Sequence, residues 1–146
     1  MARKVVIVGG VAGGASAAAR LRRLDEDAEI IIFEKGEYIS FANCGLPYYI
    51  GEVIKRKDKL IVQTPQEMRE RFNIDVRVKS EVTKILPAEK KVEVYDIYSG
   101  KTYTESYDKL ILSPGAEPIK LPITGIDSPR IFTIRNIPDT YRIKEF

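Results

Sequence analysis

Three short apolar runs frame the chain. Val5-Val6-Ile7-Val8, Ile30-Ile31-Ile32-Phe33 and Leu110-Ile111-Leu112 (the last introduced by Lys109) show no polar alternation. That pattern predicts strands buried on both faces, as in a parallel sheet. Between the first two runs, residues 15–24 are rich in Ala, Leu and Arg, which are good helix formers. Ala15, Ala18 and Ala19 are small enough for such a helix to lie close to a sheet. The first 34 residues therefore read as one βαβ unit with a right-handed crossover.

Residues 35–47 break the pattern with Gly, Ser, Asn, Cys and Pro, and a short helix is expected from near Cys44 towards Gly51. Residues 55–59 form a charged surface link. Thr64-Pro65-Gln66-Glu67 predicts a helix start, with Thr as N-cap, Pro in the first turn and Glu three residues on; that helix should end near Phe72. A short strand is expected over 75–79. From 81 to 107, Val82, Ile85, Val92, Val94 and Tyr103 recur at strand-like intervals, with turns at Pro87-Ala88 and Ser99-Gly100. This predicts an antiparallel β-meander inserted into the α/β unit. The expected class is α/β, a Rossmann-like βαβ domain with a parallel sheet and an inserted antiparallel meander. Beyond residue 116, Pro118, Pro122 and Pro129 mark an ordered linker. Ile137-Pro138-Asp139-Thr140 then opens a helical pattern that stops without a cap, as expected of the N-terminal piece of a longer protein.

Composition narrows the function. The 146 residues are 44% hydrophobic and 31% charged, enough for a core and too apolar for a disordered tail. The net charge of +3, with acids and bases interleaved, gives no argument for nucleic acid as a partner. No apolar run approaches the roughly 20 residues needed to span a bilayer, so no membrane partner is expected. A single cysteine excludes an internal disulfide and points to a reducing, cytoplasmic setting. With no histidine, proton transfer near neutral pH must use Cys, Tyr, Lys, a carboxylate, a cofactor or groups from outside the chain. No metal site is expected.

The turn Gly9-Gly10-Val11-Ala12-Gly13-Gly14 lies between the first strand and the first helix. Such a turn aims backbone N–H groups and the helix dipole at a bound phosphate. Gly9 and Gly14 fit the first and third glycines of a dinucleotide fingerprint, Val11 stands at the second, and Ala18 supplies the small residue one helical turn later. Glu34 ends the second strand 20 residues after Gly14, where an acid accepts hydrogen bonds from a ribose hydroxyl pair. The turn alone does not separate FAD from NAD. The inserted meander and Ser113-Pro114-Gly115 after the third run favour a flavoprotein, by fold analogy.

Cys44 lies in Ser40-Phe41-Ala42-Asn43-Cys44-Gly45-Leu46-Pro47, ahead of the expected short helix. Such a loop suits a reactive thiolate, although a lone cysteine also serves as a small buried hydrophobe. This segment, with Val8 to Ala15, Phe33-Glu34-Lys35, Tyr107-Asp108, Lys109 to Pro118 and Thr133 to Thr140, resembles the coenzyme A disulfide reductases, which are FAD-dependent pyridine nucleotide–disulfide oxidoreductases with one redox cysteine. The resemblance covers essentially the whole chain.

The resemblance implies that Gly9, Gly10, Val11, Ala12, Gly13 and Gly14 cradle the FAD pyrophosphate, that Glu34 binds the adenosine ribose with Lys35 beside it, and that Val82 meets the adenine through its backbone. Ser113, Pro114 and Gly115 would line the flavin side, and Cys44 would sit against the flavin ring. Arg20, Arg23, Ser40 and Asn43 match positions that contact coenzyme A, with Asn43 also near the cofactor. By the same resemblance, residues 1–116 would be the first segment of a split FAD-binding domain and 117–146 a linker into an NAD(P)H-binding domain of a homodimeric protein. The implied reaction is NAD(P)H-dependent reduction of coenzyme A disulfide through Cys44, the 146-residue piece alone being inactive. Three alternatives are a coenzyme A-dependent polysulfide or persulfide reductase, an NADH oxidase or peroxidase cycling through a sulfenic acid, and a non-enzymatic dinucleotide-binding module. Relatives of the oxidase and peroxidase type often carry a histidine at the fourth position of the glycine turn, where this chain has Ala12.

Overall fold

The computed structural model describes residues 2–146. They form two compact units, one made of the residues up to Phe41 together with Gln63–Pro114, the other of Ala42–Val62 and Gly115–Phe146.

The first unit is built on a parallel sheet. β1 (Lys4–Val8), β2 (Glu29–Phe33), β3 (Asp75–Arg77) and β7 (Lys109–Leu112) lie in the order β3-β2-β1-β7. Val5 pairs in register with Ile30 on one side and Lys109 on the other. Alternate side chains of β1 and β2 enter two different cores, which is why their sequences show no polar alternation. Val5, Ile7, Ile30 and Ile32 face Ala15 and Ala18 of α1 (Gly13–Leu24) and Met68 of α3 (Pro65–Phe72). Val6, Ile31 and Phe33 face Val92 and Val94 of the meander. Ala18 has no exposed surface, so a larger side chain there would push the helix off the sheet.

The meander is β4 (Ser80–Leu86), β5 (Lys91–Asp96) and β6 (Lys101–Ser106), antiparallel in the order β4-β5-β6. It covers one face of the parallel sheet through Val92 and Val94, both fully buried, each burial contributing about 1.5–3 kcal/mol. A charged clamp reinforces the contact. Glu105 of β6 accepts from Lys4 Nζ at 2.6 Å and from Arg77 Nη1 at 2.8 Å, and Arg77 Nε donates to Asp75 at 2.9 Å. The Arg77 guanidinium also lies 5.3 Å over the Phe33 ring.

The expected elements are present, with two shifts at their ends. The strand expected over 75–79 ends at Arg77, because Lys79 turns with a φ of +51° and its N–H donates to Gly36 O. The first helix begins at Gly13 and not at Ala15, since the last two glycines of the turn already take helical conformation. The capping box of α3 forms as the sequence predicts, with Thr64 and Glu67 bonded reciprocally.

In the second unit a 3₁₀ turn, Asn43–Gly45, runs into α2 (Leu46–Ile50), and a second 3₁₀ turn spans Lys57–Leu60. α4 (Ile137–Glu145) packs on α2. It opens with a second capping box, Asn136 with Asp139, and buries Ile137 and Thr140 completely. The proline-bearing stretch 116–131 contains no helix or strand.

Candidate functional site

The glycine turn is shaped by close backbone approaches. Gly9 has a φ of +95°, and a Cβ there would strike the carbonyl oxygen of Ser113. A Cβ on Gly14 would strike the carbonyl oxygen of Gly9, so this glycine lets the start of α1 sit directly against the turn. A Cβ on Gly10 would lie 2.8 Å from Ile39 Cγ2, and one on Gly13 2.5 Å from Ser113 Oγ. Backbone atoms therefore require glycine at 9 and 14, and Gly9 by its conformation as well, whereas Gly10 is crowded by the buried Ile39 and Ile32 side chains and Gly13 meets only a hydroxyl that can rotate away. Val11, at the second fingerprint position, is half-buried, while Ala12 and Gly13 are exposed.

No side chain caps the start of α1, and no acidic residue lies in its first turn. The N–H groups and the positive end of the helix dipole are left to an anion. Glu34 stands beside them. Its Oε2 accepts from the Gly10 N–H at 2.9 Å and its Oε1 from the Gly36 N–H at 2.7 Å. A carboxylate has about four acceptor positions, so two remain for hydroxyl groups. Lys35 is exposed next to it.

Ser40 joins the turn from the chain after β2. Its N–H donates to Gly10 O at 2.9 Å, its φ is +43°, and its own carbonyl accepts from the Gln63 N–H at 3.3 Å. Ser113 leaves β7 with its N–H on Val8 O at 2.7 Å. Gly9, Gly10, Gly13, Gly14, Glu34, Ser40 and Ser113 thus form one cluster at the ends of the parallel strands. Pro114 follows it, exposed. Val82 lies two residues along β4 from Ser80, whose N–H donates to Glu34 O at 3.0 Å; it sits beside a bulge, paired with Val94 and packed on the core between meander and parallel sheet.

Three arginines follow one another closely on α1, and the structure separates them. Arg22 is spent on structure, donating to Phe72 O at 2.8 Å, Asn73 O at 2.9 Å and Glu26 O at 2.6 Å. Arg20 and Arg23 are exposed on the same helix.

The second unit holds Asn43, Cys44 and Gly115. Cys44 is the middle residue of the 3₁₀ turn, two residues ahead of α2 as the sequence predicts, and is exposed. The buried-hydrophobe alternative is thereby excluded. Its neighbours are fixed: a Cβ on Gly45 would come within 3.3 Å of Ala42, Ile54 and Leu60, so the turn packs down on a fully buried leucine. The Oδ1 of Asn43 is buried without a hydrogen-bond partner. Gly115 adopts a φ of +74° with Arg135 against its open face.

Sequence reasoning missed Gln63 in the first unit. Its Oε1 is also buried without a partner, and its N–H is bonded to Ser40 O. Nothing in the local pattern flags it, because the contact with Ser40 spans 23 positions. Orphaned acceptors of this kind call for a bound water or ligand.

The sequence profile of the pyridine nucleotide-disulphide oxidoreductases matches residues 3–145. The chain is 46% identical over 144 residues to the coenzyme A disulfide reductase of Staphylococcus haemolyticus, covering 99% of this chain and 32% of that protein. The crystal structure of reduced Bacillus anthracis CoADR-RHD is similar with a TM-score of 0.96 and 60% identity, over 99% of this chain and 26% of that one. The NAD-dependent persulfide reductase from A. fulgidus is similar with a TM-score of 0.92 and 36% identity, over 97% and 26%. The chain spans about a third of the length of the curated relatives it matches. Almost none of the sequence falls outside the matched span, and the chain belongs to the pyridine nucleotide-disulphide oxidoreductase family.

Proposed function

We propose that this chain is the thiol-bearing, FAD-binding part of an NAD(P)H-dependent reductase of coenzyme A disulfide. The observation that carries the reading is the presentation of Cys44. It is the single cysteine of the sequence, exposed on a turn whose Gly45 is packed against Leu60 and Ile54. A thiol placed in this way is available to an outside disulfide and has no partner cysteine in the chain.

The residues present fit a flavin dinucleotide. Within the first unit, the uncapped start of α1 supplies donors for a pyrophosphate, Glu34 has acceptor capacity left for a ribose, and the unpaired Gln63 Oε1 awaits a donor. Glycines 9 to 14 would hold the phosphates and Glu34 the ribose, with Lys35 beside it. Bound FAD, fed by NAD(P)H, would supply the two electrons that split the Cys44–coenzyme A mixed disulfide, which returns Cys44 to the thiol state and frees the second coenzyme A as thiol, with protons from solvent. Cys44 itself attacks a sulfur of coenzyme A disulfide as thiolate, forming a mixed disulfide and releasing one coenzyme A thiolate. Arg20 and Arg23 are the cations of α1 left exposed for the phosphates of that substrate, and Ser40 and Asn43 its polar contacts. We place the working protein in the cytoplasm as a homodimer.

The 36% identity to a persulfide reductase favours a second reading, in which the same thiol acts on a persulfide or polysulfide. Both readings require Cys44. In the intact protein, Cys44→Ser should abolish NAD(P)H-dependent disulfide reduction while flavin stays bound, and normal turnover in that variant would overturn both. Comparison of coenzyme A disulfide with coenzyme A persulfide in the unmodified protein ranks the two.

A further inference from the structure

We propose that Lys144 is a positioning residue for Cys44, acting through Tyr49 and α2; its consequence for turnover rests on the reductase reading given above. The turn that carries Cys44 continues directly into α2, which has only five residues. A helix that short does not hold itself together in water, so its geometry must come from tertiary contacts. α4 supplies them.

Ile137, Thr140, Tyr141 and Lys144 recur at the spacing of one helix face. The Lys144 ammonium lies 4.3 Å over the ring of Tyr49 and donates to the Tyr49 carbonyl oxygen at 3.0 Å. Tyr49 is only 4% exposed, and its ring meets that of Tyr141 edge-on with centroids 6.0 Å apart. Lys57, from the second 3₁₀ turn, lies 4.3 Å over the Tyr141 ring. Two cations and two tyrosines therefore close around one another, and the Tyr49 carbonyl that Lys144 holds lies at the C-terminal end of α2, where a cation also complements the helix dipole. Glu52, 3.6 Å from Lys144, keeps the ammonium at this end.

The opposite end of the same short element is the cysteine turn. Gly45 N–H donates to Ala42 O at 2.9 Å, and Leu46 N–H donates to Asn43 O. The chain beyond α2 returns to it, with the N–H groups of Val53 and Ile54 on Tyr48 O and the Ile54 side chain against Gly45. Cys44 has no such hold on its own exposed side chain. Its placement is inherited from α2, and α2 is held at Tyr49 by Lys144.

The test uses Lys144→Met, Lys144→Arg and the intact protein. Amide hydrogen exchange is read at Gly45, Leu46 and Tyr49, with β1 as internal reference, alongside steady-state reduction of coenzyme A disulfide. In Lys144→Met, exchange at the three amides should accelerate about fivefold or more while β1 is unchanged, the signature of local opening. Its kcat should fall several-fold with KM much less affected, and Lys144→Arg should restore both readouts to within about twofold, since Arg keeps the charge and a donor. Unchanged exchange at Gly45 and Leu46, an equal rise in β1, or an Arg variant as impaired as the Met variant would overturn the proposal. If Lys144→Met does not fold, Lys57→Met gives the graded version, with faster exchange at Tyr49 expected and its absence counting against the clasp. Faster exchange in a protein whose Cys44→Ser variant still turns over would leave the clasp standing and remove the reductase reading.

Discussion

The carboxylate of Glu34 reaches back from the end of β2 to the N–H of Gly10, 2.9 Å away, and so ties the second strand to the glycine turn. Its other oxygen holds Gly36 at 2.7 Å. Two charge-assisted bonds converge on one side chain, and each such bond is worth about 1.5–3 kcal/mol. Glu34→Gln keeps one neutral acceptor and turns an NH₂ group towards a backbone donor. It should lower stability by about 1–3 kcal/mol and reduce the flavin content of the intact protein. Urea denaturation midpoints and flavin absorbance check both effects, and an unchanged midpoint would separate Glu34 from the integrity of the turn.

Gly9→Ala should be more damaging. The φ of +95° disfavours any L side chain, and the new Cβ would strike the Ser113 carbonyl, a backbone atom that cannot swing aside. Strain of this kind costs about 1–3 kcal/mol before the displacement of Ser113 is added. Ser113 N–H is bonded to Val8 O at 2.7 Å, so the displacement propagates into the β1–β7 pairing. A drop in melting temperature larger than that of Gly100→Ala, whose glycine has a φ of +69° and open space around it, is the expected result.

The meander clamp gives the fold an acid-sensitive joint. Burial pushes the Glu105 carboxyl up, but its hydrogen bonds from Lys4 and Arg77 and their charges outweigh burial and hold it below the ordinary carboxylate range. Burial likewise pulls Lys4 down, and its bonds and charges from Glu105 and Glu29 outweigh that and raise it. A carboxyl depressed on folding contributes stability that is complete above its unfolded value and is lost as pH falls through the folded value. Stability should therefore decline from roughly pH 4.5 downwards. The raised Lys4 contributes below its unfolded value and loses that contribution only at strongly alkaline pH. Glu105→Gln should be less stable at neutral pH and show a shallower acid limb. Urea midpoints between about pH 3 and pH 7 measure both, and parallel acid limbs would exclude Glu105 as the source.

Local pattern carried the first unit further than the second. The continuous apolar runs of β1 and β2 already imply two covered faces, and Glu34 is legible because a strand end and a glycine turn lie at fixed spacing. What covers the second face is not legible, since Val92 and Val94 alternate as any half-buried strand does and meet Val6, Ile31 and Phe33 only through long-range packing. Arg20, Arg22 and Arg23 look alike in sequence; only the carbonyls at the end of α3 show that Arg22 is structural. Cys44 is legible through its motif, but its support is not. Tyr49 and Lys144 are 95 positions apart, and residues 116–131 between them form no helix or strand that would announce the contact.

Two glycines of the second unit separate a collision from a conformational cost. Gly115 and Gly125 both have positive φ, +74° and +85°. A Cβ at Gly125 would meet nothing within 4 Å, whereas one at Gly115 would strike Arg135 Nη2. Alanine at Gly125 therefore measures the left-handed penalty alone, about 1–2 kcal/mol. Alanine at Gly115 adds the displacement of a guanidinium whose Nε–H is bonded to Ala116 O. The Arg135 backbone cannot retreat freely, because its N–H is held by Asp139 at 3.0 Å within the α4 capping box. Gly115→Ala should thus cost about 1 kcal/mol more than Gly125→Ala, the worth of the lost hydrogen bond. Arg135→Ala removes the same bond but leaves the open face empty, so adding it to Gly115→Ala should cost much less than it costs alone. A double-mutant cycle on urea midpoints reads that coupling directly. Additive single effects would show that Arg135 moves aside without loss, and that the fit between Gly115 and its guanidinium carries no stability.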